Sequence, residues 1–201
     1  EGQFKFEDKG QGGVFYQESY SSPSAADYDN DGNLDLFFTT VYGVASFGRK
    51  NNPVLFRNEG QFKFSNVNTL TKLEGLGATY QAAWADFDND GDLDLMTAGR
   101  FFVNNGNKNN HWLRIKLEHN KKNINRFAIG AQVRLALSNG KIISRQVESG
   151  TGQGNQNELT LHFGLGSYDQ PVEVEVFWPD GTILNRGGIA VDQKFILNPN
   201  N

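Results

Sequence analysis

The sequence predicts an all-β protein in two parts: two blade-like repeats of short strands, then a β-sandwich-like domain. Three observations carry this. The 201 residues include 23 Gly and 16 Phe against a single Met, a composition of tight turns and aromatic, pleated strands. The hexapeptide Glu1-Gly2-Gln3-Phe4-Lys5-Phe6 recurs as Glu59-Gly60-Gln61-Phe62-Lys63-Phe64, and an aspartate-rich loop recurs with nearly the same spacing at 27–35 and 86–94. Beyond residue 110 the pattern changes to strands that alternate apolar and charged residues.

Each repeat reads as an F-x-F strand, a Gly- and Ser-bearing stretch, a small-residue pair (Ala25-Ala26, Ala82-Ala83), the aspartate loop and an apolar exit. The exits Leu34-Asp35-Leu36-Phe37-Phe38 and Leu93-Asp94-Leu95-Met96 are short and bounded by turn residues, which predicts buried strands. A period of this length with several strands per unit suits a propeller blade, and two blades cannot close a ring. The polar tract Asn104–Asn110 is the expected linker, dividing the chain into 1–105 and 106–201. In the second part His111–Glu118 and Val172–Val176 alternate as strands with one wet face, and Ala131–Leu137, Lys141–Val147 and Leu159–Phe163 add three more. Asn139-Gly140 is the expected hairpin turn.

The chemistry is concentrated in the two loops, Asp27-Tyr28-Asp29-Asn30-Asp31-Gly32-Asn33-Leu34-Asp35 and Asp86-Phe87-Asp88-Asn89-Asp90-Gly91-Asp92-Leu93-Asp94. Carboxylates at positions 1, 3 and 5 turn inward when a backbone curls around a cation, and Gly at position 6 permits the reversal. Position 7, Asn33 or Asp92, offers its backbone carbonyl, and position 9, Asp35 or Asp94, closes the cage. An EF-hand would place Glu at position 12, where Phe38 and Thr97 stand. All-oxygen ligation selects a hard cation, and a cage built wholly by protein suits Ca2+ over Mg2+. The expectation is two Ca2+ sites with ligands Asp27, Asp29, Asp31, Asn33 and Asp35, and Asp86, Asp88, Asp90, Asp92 and Asp94. Single solvated turns of Asp, Asn and Gly would read the same way, and duplication in register argues against that. The formal charge of −4 would be neutralised by two divalent ions.

On these loops, on Ser24-Ala25-Ala26-Asp27 and on Leu55-Phe56-Arg57-Asn58-Glu59-Gly60-Gln61-Phe62, the first part resembles FG-GAP/VCBS calcium-loop repeats. The second is similar to the ASPIC/UnbV domain that follows such repeats in the cartilage acidic protein family and its bacterial homologues. The matching phrases are Asn109–Leu117, Ala128-Ile129-Gly130-Ala131-Gln132-Val133, Ser149-Gly150-Thr151-Gly152, His162-Phe163-Gly164-Leu165-Gly166 and Trp178-Pro179-Asp180-Gly181. The resemblance implies loop aspartates as metal ligands and an extracellular or cell-surface setting. It carries no catalytic role. It also implies about seven blades where two are present, so either upstream blades lie outside this segment or neighbouring molecules complete the sheets.

Other functions find less in the sequence. There are no cysteines for thiol chemistry, no Lys/Arg stripe for nucleic acid and no apolar run long enough to span a membrane. Glu1 is followed by no signal-like segment, as in a processed or excised chain. Gly150–Gln156 lacks the Walker lysine and reads as a flexible loop. His111, His119 and His162 have no paired ligand or nucleophile, and Trp84, Trp112 and Trp178 read as packing residues. The expected function is therefore a non-enzymatic calcium-binding structural or adhesion protein, with protein partners or self-association into a fibre or layer. The alternative is a secreted module that binds or helps process glycans.

Overall fold

The computed structural model describes residues 5–106, 108–119 and 125–198, and these are all-β apart from two short helical turns, a 3-10 turn at Ser46–Gly48 and α1 (Asn68–Thr71). Sheet one is antiparallel in the order β1 (Tyr20–Ala26), β2 (Asp35–Thr40), β3 (Val54–Asn58), β4 (Phe64–Asn66). Sheet two repeats the first three strands as β5 (Ala82–Ala85), β6 (Asp94–Thr97) and β7 (Arg100–Phe102). Each aspartate loop joins the first strand of its sheet to the second. One core lies between the sheets, where Phe37 meets Trp84 edge-on with Ala26, Leu55, Leu73, Leu76, Leu93 and Leu95 around them.

The second domain stacks two sheets. One runs β10 (Ile142–Gln146), β9 (Gln132–Ala136), β12 (Val172–Phe177), β13 (Ile183–Ile189), and the other β11 (Leu161–Gly166), β8 (His111–Leu117), β14 (Gln193–Leu197). The expected Asn139-Gly140 turn joins β9 to β10, with Gly140 at a φ of 86°. Leu113, Ile115, Leu161 and Phe163 face Val133, Leu135, Val174 and Val176 in the core between them. Among the described residues all strand pairings are antiparallel except β14 on β8. None of the sheets closes into a barrel.

Several expectations need correction. Phe62-Lys63-Phe64 is not one strand. Gln61 and Phe62 take left-handed φ of 50° and 60°, so the chain turns there and β4 starts only at Phe64. In the first copy Phe4 lies outside the described residues, and Phe6 is fully exposed with no strand partner among them. At the tract expected to link the two parts, the side chains of Asn104 and Asn110 are bonded back onto the loops. Gly150–Gln156 is likewise docked: Gln81 donates to the carbonyls of Gln153 and Gly154, and Asn155 Nδ2 donates to that of Ala82.

Candidate metal centre

Both loops fold by the same local rules. The first carboxylate accepts the N–H of position 6 through Oδ2 (Gly32 to Asp27, Gly91 to Asp86, 3.0 Å each). The last accepts the N–H of position 2 (Tyr28 to Asp35, 3.1 Å; Phe87 to Asp94, 2.9 Å) and, through Oδ1, that of an asparagine at or just past the end of the third strand (Asn58, Asn104; 2.8 Å each). Position 4 is Asn30 or Asn89, at φ of 60° and 62°, a left-handed conformation that asparagine adopts more readily than most residues.

Asp27, Asp29 and Asp35 come together in the first loop and Asp86, Asp88 and Asp94 in the second, each set with carboxylate oxygens within 4.8 Å of one another. Positions 5 and 7 are placed differently. Asp31 and Asp90 turn back to accept the N–H of Asn33 and Asp92 (2.7 and 2.9 Å). The Asp92 carboxylate leaves its own loop and accepts Asn30 Nδ2 of the other (2.7 Å). The donor set passes a chemical test for a hard cation. Asp27 Oδ1, Asp29 Oδ1 and Asp86 Oδ1 are buried with no hydrogen-bond partner among the described residues, and buried carboxylate oxygens are left unpaired only at a cost. Burial pushes Asp27 up to about 7 and Asp35 to about 8, reinforced for Asp27 by Asp31 and for Asp35 by Asp29. Burial raises Asp86 as well, against the pull of the Arg114 guanidinium.

That arginine was not singled out in the sequence. Arg114 on β8 is 1% exposed; its Nη1 lies 2.5 Å from Asp86 Oδ2, and its Nη2 donates to both oxygens of Glu158 (2.8 and 2.7 Å). Glu158 in turn accepts the N–H of Asp86 (2.9 Å). His162, opposite Arg114 on β11, places Nε2 2.6 Å from Asn30 Oδ1. Asn30 Nδ2 donates to Gly91 O and Asp92 Oδ1, so its Oδ1 is the acceptor and His162 Nε2 carries the proton that it donates to Asn30. Burial holds His162 neutral, down at about 3. Arg145 on β10 approaches Asp27 electrostatically without an ion pair, and burial lowers its pKa. Two close approaches allow this packing. A side chain at Gly164 would strike Asp27 and the backbone of Asn30, and one at Gly91, already at φ 95°, would strike the indole of Trp112. Trp112 thus packs on the second loop, while Trp84 and Trp178 are core residues, 3% and 4% exposed. His111 lies 2.6 Å from Asp192, and the His119 ring lies against Trp178 at a tilt of 59°, centroids 5.0 Å apart.

Residues 41–97 match the FG-GAP-like repeat family model, and residues 121–201 match that of ASPIC and UnbV. The chain joins FG-GAP-like repeats to an ASPIC/UnbV domain. It is 32% identical to cartilage acidic protein 1 of Mus musculus over 192 residues, 89% of this chain and 29% of that protein. The Homo sapiens protein is 32% identical over 180 residues (86% and 27%), and that of Xenopus tropicalis 32% over 184 (84% and 28%). The chain therefore spans less than a third of the length of these relatives. No helix among the described residues is long and apolar enough to cross a membrane.

Proposed function

We propose that this is a non-enzymatic, calcium-binding structural or adhesion module of the extracellular space, with one Ca2+ in each aspartate loop and a capacity for self-association through open sheet edges. The observation that carries the cation reading is the pairing of converging carboxylates with unpartnered buried oxygens at Asp27, Asp29 and Asp86. Asp27, Asp29 and Asp35 would hold one ion, and Asp86, Asp88 and Asp94 the other, with the backbone at Asn33 and Asp92 available beside them. A bound dication supplies the positive charge that lets these carboxylates stay ionised and close together. The extracellular setting is supported by relatives named for cartilage.

Calorimetric titration of calcium into the purified chain tests the reading. Two saturable sites are expected, one lost in Asp29→Ala and the other in Asp88→Ala, with a chelator lowering the melting temperature. No binding heat, together with a melting temperature indifferent to chelator, would reduce the loops to solvated turns.

A further inference from the structure

Asparagine side chains cross directly from one aspartate loop to the other, and each crossing residue has a counterpart in the other repeat that makes no such bond. Asn30, at position 4 of the first loop, donates Nδ2 to Gly91 O (3.1 Å) and Asp92 Oδ1 (2.7 Å), positions 6 and 7 of the second. Its counterpart Asn89 has the same left-handed backbone, but its side chain contacts Arg114 instead, at 3.3 Å. Asn104, just past β7, donates Nδ2 to Leu93 O of its own loop (3.2 Å) and to Tyr28 O of the first (2.7 Å). Its counterpart Asn58 donates to Leu34 O, within its own repeat (3.0 Å).

Both crossings grip the bonds that close the loops. Asn30 stands between Asp29 and Asp31, and its remaining polar atoms are engaged too: Oδ1 accepts the Nε2 proton of His162 (2.6 Å) and the backbone carbonyl accepts the N–H of Gly166 (2.8 Å). Its side chain is therefore fixed for as long as the first loop is curled. On the far side, the N–H groups of Gly91 and Asp92 close the second loop onto Asp86 Oδ2 (3.0 Å) and Asp90 Oδ1 (2.9 Å), so a grip on Gly91 O and Asp92 Oδ1 supports that closure. A side chain at Gly106 would strike the Asp92 carboxylate, which is thus enclosed from a second direction. Asn104 also donates its backbone N–H to Asp94 Oδ1 (2.8 Å). One residue thereby ties the closing carboxylate of the second loop to position 2 of the first, where the Tyr28 N–H meets Asp35 (3.1 Å).

We infer that the two cation sites form one coupled pair, in which filling either loop raises the affinity of the other through Asn30 and Asn104. Closing a loop costs conformational entropy, and residues already ordered by the neighbouring loop lower that cost. Repulsion between two dications acts the other way. The nine loop aspartates, four in the first loop and five in the second, outnumber the four positive charges and offset it. The inference rests on the cation reading and adds a regulation to it: the pair fills over a narrower range of calcium than two independent loops would. Coupling of this kind is reciprocal, so each loop helps the other by the same factor.

Calorimetry on the full chain measures that factor. Asp88→Ala leaves the first loop alone and Asp29→Ala leaves the second. The overall constant for binding two ions to the wild type should exceed the product of these two single-loop constants by about 5-fold or more. Measured in an Asn30→Ala background, and again in Asn104→Ala, the excess should shrink toward one. Asn89→Ala and Asn58→Ala, matched in position but without a crossing bond, should leave it in place, with circular dichroism confirming that each variant is folded. The wild-type excess is decisive by itself, whether or not a bridge variant folds. Two ions bound independently by the wild type would overturn the inference and leave the cation reading intact. An excess that survives both bridge variants as it survives their controls would overturn it as well. No binding heat in the wild type would remove both readings together.

Discussion

The two aspartate loops share a sequence pattern and a backbone course but sit in different electrostatic surroundings. In the first, Asp27, Asn30 and Asp35 are each 1% exposed, and the second domain meets it through a neutral histidine, a glycine and the side chains of Arg145 and Lys141, neither of which forms an ion pair with it. Its carboxylates are desolvated with no ion pair. In the second, Asp88, Asn89 and Asp90 are exposed, and the first carboxylate already has a buried guanidinium. Sequence fixes the ring of donors, and the neighbouring domain decides how much of their charge is compensated before any cation arrives.

The sharpest break of that comparison is Arg114→Leu. Removing the cation leaves Asp86 and Glu158 uncompensated, and such losses cost about 3–5 kcal/mol. Urea unfolding should register that cost, with a much smaller one for Arg145→Leu, which has no carboxylate in ion-pair range. Equal costs would mean that the two loops lean on the second domain alike.

Next in size is the bridge at Asn30. Asn30→Ala strands His162, Gly91 O and Asp92, for which about 1–3 kcal/mol is expected. Asn89→Ala carries the same left-handed strain with only a 3.3 Å contact to Arg114, so the difference between the two isolates the bridge. Calcium affinity of the second loop should fall in Asn30→Ala, and an unchanged affinity would make the link merely structural.

A pH series in chelator is the gentlest probe. Asp27 and Asp35 have folded pKa values of about 7 and 8, above the ordinary carboxylate range, so their contribution is lost as pH rises from about 4 through those values. His162, lowered to about 3, contributes fully above about 6.5 and loses that contribution as pH falls. Above pH about 6.5 the two carboxylates act alone, so from there to about 8 the melting temperature of the chelated protein should drop, and saturating calcium should flatten the slope. Asp27→Asn should remove much of the drop.

The loops and most strands were legible from the sequence because periodicity and turn residues are local signals. The prediction for β8 began at His111, where the strand begins, and those for β9 and β10 ran one residue long at each end. What local pattern could not give was the partner of a face. Trp112, Arg114 and His162 alternate with core residues and so fall on the expected wet face, yet that face is pressed against the loops. A bulky indole and an imidazole on a nominally solvated face were the available hint. The F-x-F strand failed for a related reason: the turn at Gln61-Phe62 requires left-handed backbone that neither residue type advertises.

The single parallel pairing has a mechanical meaning. β8 enters the second domain from the repeats and β14 is the last strand among the described residues, running in the same direction with Gln193–Leu197 beside Leu113–Leu117. Tension applied between the repeats and the end of β14 pulls these two strands along their length in opposite senses. Their evenly spaced hydrogen bonds are then loaded together, in shear, and the junction resists force as a clamp where an antiparallel hairpin pulled at its open ends would unzip one bond at a time.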